Sequence, residues 1–134
     1  MLEGGCHCGA VRYRAGGAPF DVTHCHCVDC RRTSGAAFVT WFSVPAAELA
    51  YTRGTPARRT SSPGVERTFC AACGTPLTYQ RRDRAAEVDV TACSLDDPAA
   101  ITPEDHTWTQ QQIGWVRLTD GLPRHATTRP AVVA

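Results

Sequence analysis

Three cysteines stand within six residues in Cys25-His26-Cys27-Val28-Asp29-Cys30. Thiols this crowded cannot all pair with one another as disulfides, but they can all face one metal ion. One residue between the first two and two between the last two suits a tight loop wrapped around Zn²⁺. Three protein ligands with a fourth position left open is the pattern of catalytic zinc, whereas closed sets of four are structural. A second group, Cys70-Ala71-Ala72-Cys73-Gly74, reads as a zinc knuckle, two thiolates on a turn that the following glycine makes possible. A knuckle needs two more ligands. Cys6-His7-Cys8-Gly9 is the natural source, since residues i and i+2 of an extended chain face the same side. Cys6, Cys8, Cys70 and Cys73 then form a closed structural site that ties the N-terminus to the middle of the chain. Disulfides in two of the groups, or a different sharing of ions, are the alternatives. The pairing of first with third is preferred because it leaves the central three no two-cysteine partner to share.

Three thiolates make a soft, electron-rich centre. They weaken zinc as a Lewis acid towards water and favour a further soft ligand, such as a substrate thiol held as thiolate. Chemistry at sulfur is the expectation. Arg31 and Arg32 follow directly and are candidates for offsetting the charge or holding a substrate carboxylate, with solvated surface arginines as the plain reading. Of the histidines, His7, His24, His26 and His106 compete as ligands. In each Cys-His-Cys the middle residue points away from its neighbours, so His7 and His26 are expected to face outward, and His106 is a loose candidate among polar residues. The eighth cysteine, Cys93, is either a small filler at a strand end or, if that end lies beside the central loop, a fourth thiolate or redox partner.

The elements that position these groups read as mostly antiparallel β. Strands are expected at Ala10 to Arg14, Ala36 to Val44, Glu48 to Thr52, Val65 to Phe69 and Pro76 to Gln80. Ala86 to Ser94 alternates, with Val88 and Val90 on one face and Glu87, Asp89 and Thr91 on the other, which places Cys93 on the second face. Residues 53–64, with Gly54, Pro56, Pro63 and Gly64, read as hairpin and loop. A last strand is expected around Trp115 to Leu118, and residues 125–134 as a frayed tail.

The chain has 134 residues, 43% of them hydrophobic, enough for one domain (1–134) with a real core. Nine prolines and eleven glycines argue for turns over long helices. A formal net charge of +1 gives no electrostatic case for nucleic acid or acidic membranes. The start, MLEGGCHCGAV, lacks an apolar h-region, and no run nears the roughly 18 apolar residues a spanning helix needs. The expectation is therefore a cytoplasmic protein whose clustered thiols are metal ligands.

Several stretches, in order along nearly the whole chain, resemble the glutathione-dependent formaldehyde-activating enzyme family, which includes the enzymatic-type domain of centromere protein V. They are GGCHCGAVRY at 4–13, CHCVDCRRTSGAAF at 25–38, FCAACGTPL at 69–77, SLDDP at 94–98 and WVRLTDGLP at 115–123. The resemblance implies the all-β Mss4-like fold of curled antiparallel sheets with zinc-binding turns. It implies two zinc ions, a structural one on Cys6, Cys8, Cys70 and Cys73 and a catalytic one on Cys25, Cys27 and Cys30. The implied activity is carbon–sulfur lyase-type addition of glutathione to formaldehyde, with a small thiol or its aldehyde adduct as partner. The SLDDP turn would lie near the substrate pocket, where Cys93 replaces the small residue, often glycine, that the family usually carries. The competing readings are a zinc-stabilised binding module without turnover and a redox or metal sensor. They separate on whether the fourth position of the central site is open.

Overall fold

The aromatic and β-branched stretch around Trp41 forms the middle of the molecule. A computed structural model describes residues 1–130, and in it this stretch is a central strand of a seven-stranded sheet. The strands are β1 (Leu2–Gly5), β2 (Arg12–Ala15), β3 (Phe20–Cys25), β4 (Val39–Pro45), β5 (Leu49–Arg53), β6 (Ala57–Ser62), β7 (Val65–Phe69), β8 (Pro76–Arg81), β9 (Glu87–Thr91) and β10 (Asp105–Thr107). One sheet has the order β1-β2-β5, the other β10-β3-β4-β9-β8-β7-β6. All pairings are antiparallel except β10 beside β3. The chain is mostly β, with open sheets and cysteine-bearing turns, as the Mss4-like expectation required.

The core lies between the sheets. Tyr13 and Ala15 from the smaller sheet, with Val11 just before β2, pack with Phe42, Val44, Leu77, Val88 and Val90 from the larger. The period-2 rule explains β9: Val88 and Val90 are buried, while Glu87 and Asp89 are partly exposed on the other face. Tyr13 is buried too, and its hydroxyl is paired with Ser94 Oγ at 2.7 Å.

Four features differ from the sequence expectation. The loop read over 53–64 contains β6, a strand of arginine, threonine and serine. It lies at the sheet edge, largely open to water, so nothing selects apolar alternation there, and the charges deter edge-to-edge pairing. The central cluster is not a loop throughout, because Val28–Ser34 form α1, the one α-helix among the described residues. Its signals are local: Asp29 in the first turn, arginines in the last, and Gly35 in the left-handed conformation as C-cap (φ 72°). The strand expected at Trp115 to Leu118 is absent. Trp115 ends a turn and the residues after it are irregular, Trp115 is 74% exposed, and the C-terminal strand is β10 instead. Finally, residues 125–129 are anchored rather than frayed. His125 N–H donates to His106 O at 2.8 Å, Trp108 N–H to Thr127 O at 2.9 Å, and Arg129 pairs with Asp105 and Asp21. Residues 131–134 of the expected tail lie outside the described residues.

Candidate functional site

The two cysteine groups assemble as four and three. The sulfurs of Cys6, Cys8, Cys70 and Cys73 all lie within 4.8 Å of one another, and so do those of Cys25, Cys27 and Cys30. In the first group, Cys8 Sγ stands 3.7 Å from both Cys6 Sγ and Cys70 Sγ. A tetrahedron of sulfurs about 2.3 Å from a zinc ion has an edge of about 3.8 Å, so the donor set fits that metal. Two turns of similar shape build it. Gly9 and Gly74, each following a cysteine, take φ 81° and 83°, a region closed to most side chains. The chain can then fold back so that Val11 N–H reaches Cys6 Sγ at 3.2 Å and Cys73 N–H reaches Cys70 Sγ at 3.4 Å. Thr75, which sequence reading missed, links the two turns: its Oγ1 lies 3.3 Å from Cys73 Sγ and accepts His7 N–H at 3.1 Å.

The three-cysteine group forms where β3 runs into α1. Cys25 ends the strand, Cys27 is the helix N-cap and Cys30 lies one turn in. Cys27 Sγ accepts the Cys30 N–H at 3.2 Å, and Gln111 Oε1 takes the Val28 N–H at 2.9 Å. Trp41 donates its indole N–H to Cys30 Sγ at 3.4 Å from the neighbouring strand β4. The charges are unequal. The Cys27 thiol is held far below an ordinary thiol, first by Cys25 and Cys30 donating to it and then by the backbone amides of Cys30 and Asp29. The same contacts push Cys25 and Cys30 upward. Ionising all three thiols side by side calls for a cation. Three soft donors and no oxygen or nitrogen donor suit zinc.

This second group opens on a cavity of about 400 Å³. Trp41, Tyr79 and Trp108 are among its aromatic lining, with Trp108 entering from a left-handed backbone conformation (φ 55°) that is uncommon outside glycine. Four arginines also line it: Arg67, Arg81, Arg84 and Arg129. Arg129 pairs with Asp21 and Asp105, Arg81 with Asp83 at 2.6 Å, and Arg84 with Glu87 at 3.6 Å. Asp89 lies in the same cavity, its carboxyl pushed up to about 6, chiefly by burial, although Ser43 Oγ donates to it at 2.6 Å.

The residues proposed from sequence divide clearly. Both cysteine groupings form as spacing required. Arg31 and Arg32 do not line the cavity, because they lie towards the far end of α1. Cys93 is exposed in a turn over Ala92–Ser94 and belongs to neither cysteine group, so it is neither a buried filler nor placed as a fourth thiolate. It lines a different cavity, of about 720 Å³, with the SLDDP turn residues Ser94, Leu95 and Asp96 beside Cys6 and His7.

The histidines part company too. His7 is exposed as expected, but His26 is fully buried, and so is His106. His26 does point away from the thiolates. What lies on that side is β10, and His26 Nε2 meets His106 Nδ1 at 2.9 Å while His106 Nε2 meets Asp120 Oδ2 at 2.8 Å. The Asp120 carboxylate accepts, so the His106 proton sits on Nε2 and His26 Nε2–H donates to His106 Nδ1. Burial holds His26 neutral by pushing its ring down to about 4. His24 stands beside this chain, 2.7 Å from Thr40 Oγ1 through Nδ1.

Comparison with known proteins agrees with this geometry. The family profile described as glutathione-dependent formaldehyde-activating enzyme matches residues 1–111. A Halomonas elongata protein, provisionally named a glutathione-dependent formaldehyde-activating enzyme, is 31% identical over 130 residues, covering 88% of this chain and 81% of its own. The crystal structure of a Rhodobacter sphaeroides protein shares the fold, with a TM-score of 0.59 at 23% identity, covering 92% of this chain and 98% of its own. Profile, relative and the two cysteine groups point the same way, and the chain belongs to the glutathione-dependent formaldehyde-activating enzyme family.

Proposed function

We propose that the protein is a zinc-dependent carbon–sulfur lyase-type enzyme acting on a small thiol of the glutathione kind and its aldehyde adduct. The reaction class is S-hydroxymethylglutathione formation or cleavage. One observation carries the reading: the three-cysteine group opens on a cavity, whereas the four-cysteine group forms a complete donor set by itself. Cys25, Cys27 and Cys30 would hold the catalytic zinc, and Cys6, Cys8, Cys70 and Cys73 the structural one, two ions per chain. Zinc at the catalytic set supplies positive charge that favours the thiolate form of a substrate sulfur.

The chain's own residues supply position and shelter. Cys27 and Cys30 are fixed by α1, and the Trp41 indole orients the Cys30 sulfur. Trp41, Tyr79 and Trp108 present apolar ring faces that exclude water from the reacting atoms. In the forward direction the thiol sulfur bonds to the aldehyde carbon, the carbonyl π pair moves onto the oxygen, and that oxygen takes the proton the thiol gives up to become the hydroxyl. Cleavage is the reverse. A cytoplasmic site of action follows from the need for reduced thiols, and the net charge of +1 gives no case for a nucleic-acid partner.

The test is exchange NMR on mixtures of glutathione and formaldehyde. Protein loaded with two zinc ions should speed adduct interconversion above the uncatalysed rate, and Cys27→Ser should return it to that rate. A fully loaded protein that leaves the rate at background would replace the enzyme reading with that of a binding module.

A further inference from the structure

Three of the four arginines in the cavity have a carboxylate partner, and Arg67 has none among the described residues. It projects from β7, opposite Tyr79 on β8, with its guanidinium carbon 4.9 Å from the centre of that ring. Its Nε–H donates to Ser61 Oγ at 3.1 Å, and Nη1 has a long contact of 3.5 Å with Thr33 Oγ1. Arg67 is half-buried. A cation taken partly out of water is costly unless an anion meets it, and a tyrosine face offsets only part of that cost. The stacked ring and Ser61 also fix the guanidinium plane, which leaves the Nη edge as a preformed fork for two acceptor oxygens. Tyr79 faces the same cavity as the three thiols, so an anion docked on that edge shares the space in which the proposed substrate sulfur reacts.

We propose that Arg67 is a carboxylate-binding subsite for the thiol substrate, so that the protein selects thiols that carry a carboxylate over neutral thiols. The inference rests on the reading that a substrate thiol approaches the three-cysteine centre, and it adds which part of that substrate is recognised and by which residue. Arg31 and Arg32, the arginines nearest the cysteines in sequence, do not have this role, because neither faces the cavity.

The experiment is a binding titration on protein loaded with cobalt(II) in place of zinc, reading the visible spectrum of the metal as thiol is added. Two matched pairs serve as probes: 3-mercaptopropionate with its methyl ester, and glutathione with its dimethyl ester. Arg67→Gln is compared with the native protein, so the different basicity of acid and ester thiols cancels in the ratio of ratios. A charge-assisted two-point contact corresponds to a 10- to 100-fold effect at about 1.4 kcal/mol per tenfold. Arg67→Gln should weaken both carboxylate thiols by about that factor and leave the esters unchanged. Arg67→Lys, which keeps the charge but not the fork, should give an intermediate loss confined to the carboxylate thiols, and it serves alone if the glutamine variant does not fold. Equal weakening of acids and esters would assign Arg67 to support of the metal centre and overturn the proposal. So would unchanged binding of all four probes. A native protein that binds none of the four defeats the thiol reading itself, an outcome distinct from loss of discrimination.

Discussion

His106→Ala tests the buried histidine chain, and its cost can be worked from contacts. The ring is fully buried and carries two hydrogen bonds, one at 2.9 Å to His26 and one at 2.8 Å to Asp120. Truncation leaves a buried hole, which for large side chains costs about 2–4 kcal/mol. It also strands His26 Nε2–H, whose other ring nitrogen already has no partner, and an orphaned buried donor costs about 1–3 kcal/mol. Together these give about 5 kcal/mol, a large part of the 5–15 kcal/mol typical of a domain. Asp120 is the contrast. Its side chain is 34% exposed, so Asp120→Asn loses a charge-assisted bond but leaves neither a hole nor a dry carboxylate, and about 1 kcal/mol is expected. Urea unfolding of the metal-loaded proteins reads both. With slopes near 2 kcal/mol/M the midpoint should fall by about 2.5 M for His106→Ala and by about 0.5 M for Asp120→Asn. Because His26 lies between Cys25 and Cys27, cobalt affinity at the three-cysteine group should fall more than at the four-cysteine group. A loss under about 1 kcal/mol for His106→Ala, or equal losses for the two variants, would show that the chain of bonds is not what holds this turn.

Cys70→Ser should unfold the protein, because structural zinc contributes on the order of 10 kcal/mol in small domains, while Cys27→Ser should stay folded and lose one zinc by elemental analysis. Equal unfolding of both would make the three-cysteine group structural as well. Asp89→Asn should stabilise the protein at pH 7.5 by about 1–3 kcal/mol and near pH 4 by almost nothing. The carboxyl rises from 3.8 to about 6, so the folded state holds its proton more tightly and stability is lost as pH rises through that window. Asparagine keeps an acceptor for Ser43 and escapes the loss, and a gain that does not depend on pH would refute the assignment. In the zinc-loaded protein one thiol, Cys93, should react quickly with a disulfide reagent, since it alone is exposed outside both cysteine groups. Cys93→Ala should abolish that reaction without changing metal content, and a second fast thiol would count against the four-and-three grouping.

Which parts of this site can be read from sequence depends on how far apart the partners are. The knuckles at Cys6-x-Cys8-Gly9 and Cys70-x-x-Cys73-Gly74 are legible because each is closed by its own glycine within a few residues. So is β7, whose bounds match the expected Val65 to Phe69, and so is the alternation of β9, although that strand stops at Thr91 where a turn over Ala92–Ser94 replaces its expected end. Helix α1 carries start and stop signals too, but they bracket only seven residues, too short for an apolar period to stand out. β6 shows none, because an edge strand open to water imposes no pattern on its side chains. The arginines show the same limit at the site itself. Arg31 and Arg32 stand next to the cysteines in sequence, yet the helix carries them away from the cavity. Arg67, far along the chain, faces it because β7 and β8 pair in a register that sets Arg67 opposite Tyr79.

His26 separates the two kinds of information most sharply. Alternation gives the direction of its side chain, away from Cys25 and Cys27, and that direction is right. Whether the far side is water or protein is decided by β10 and the segment after it, eighty residues along, which cover the ring with His106 and bring Asp120 behind it. A polar segment such as Asp105-His106-Thr107 reads as surface by composition, but its three residues are all buried because each finds a partner there. Asp105 pairs with Arg129, His106 with His26 and Asp120, and Thr107 with Thr23. Burial of a polar residue is a property of its partners more than of its own side chain. For that reason local pattern finds the thiols that could hold a metal and misses the imidazoles packed behind their turn.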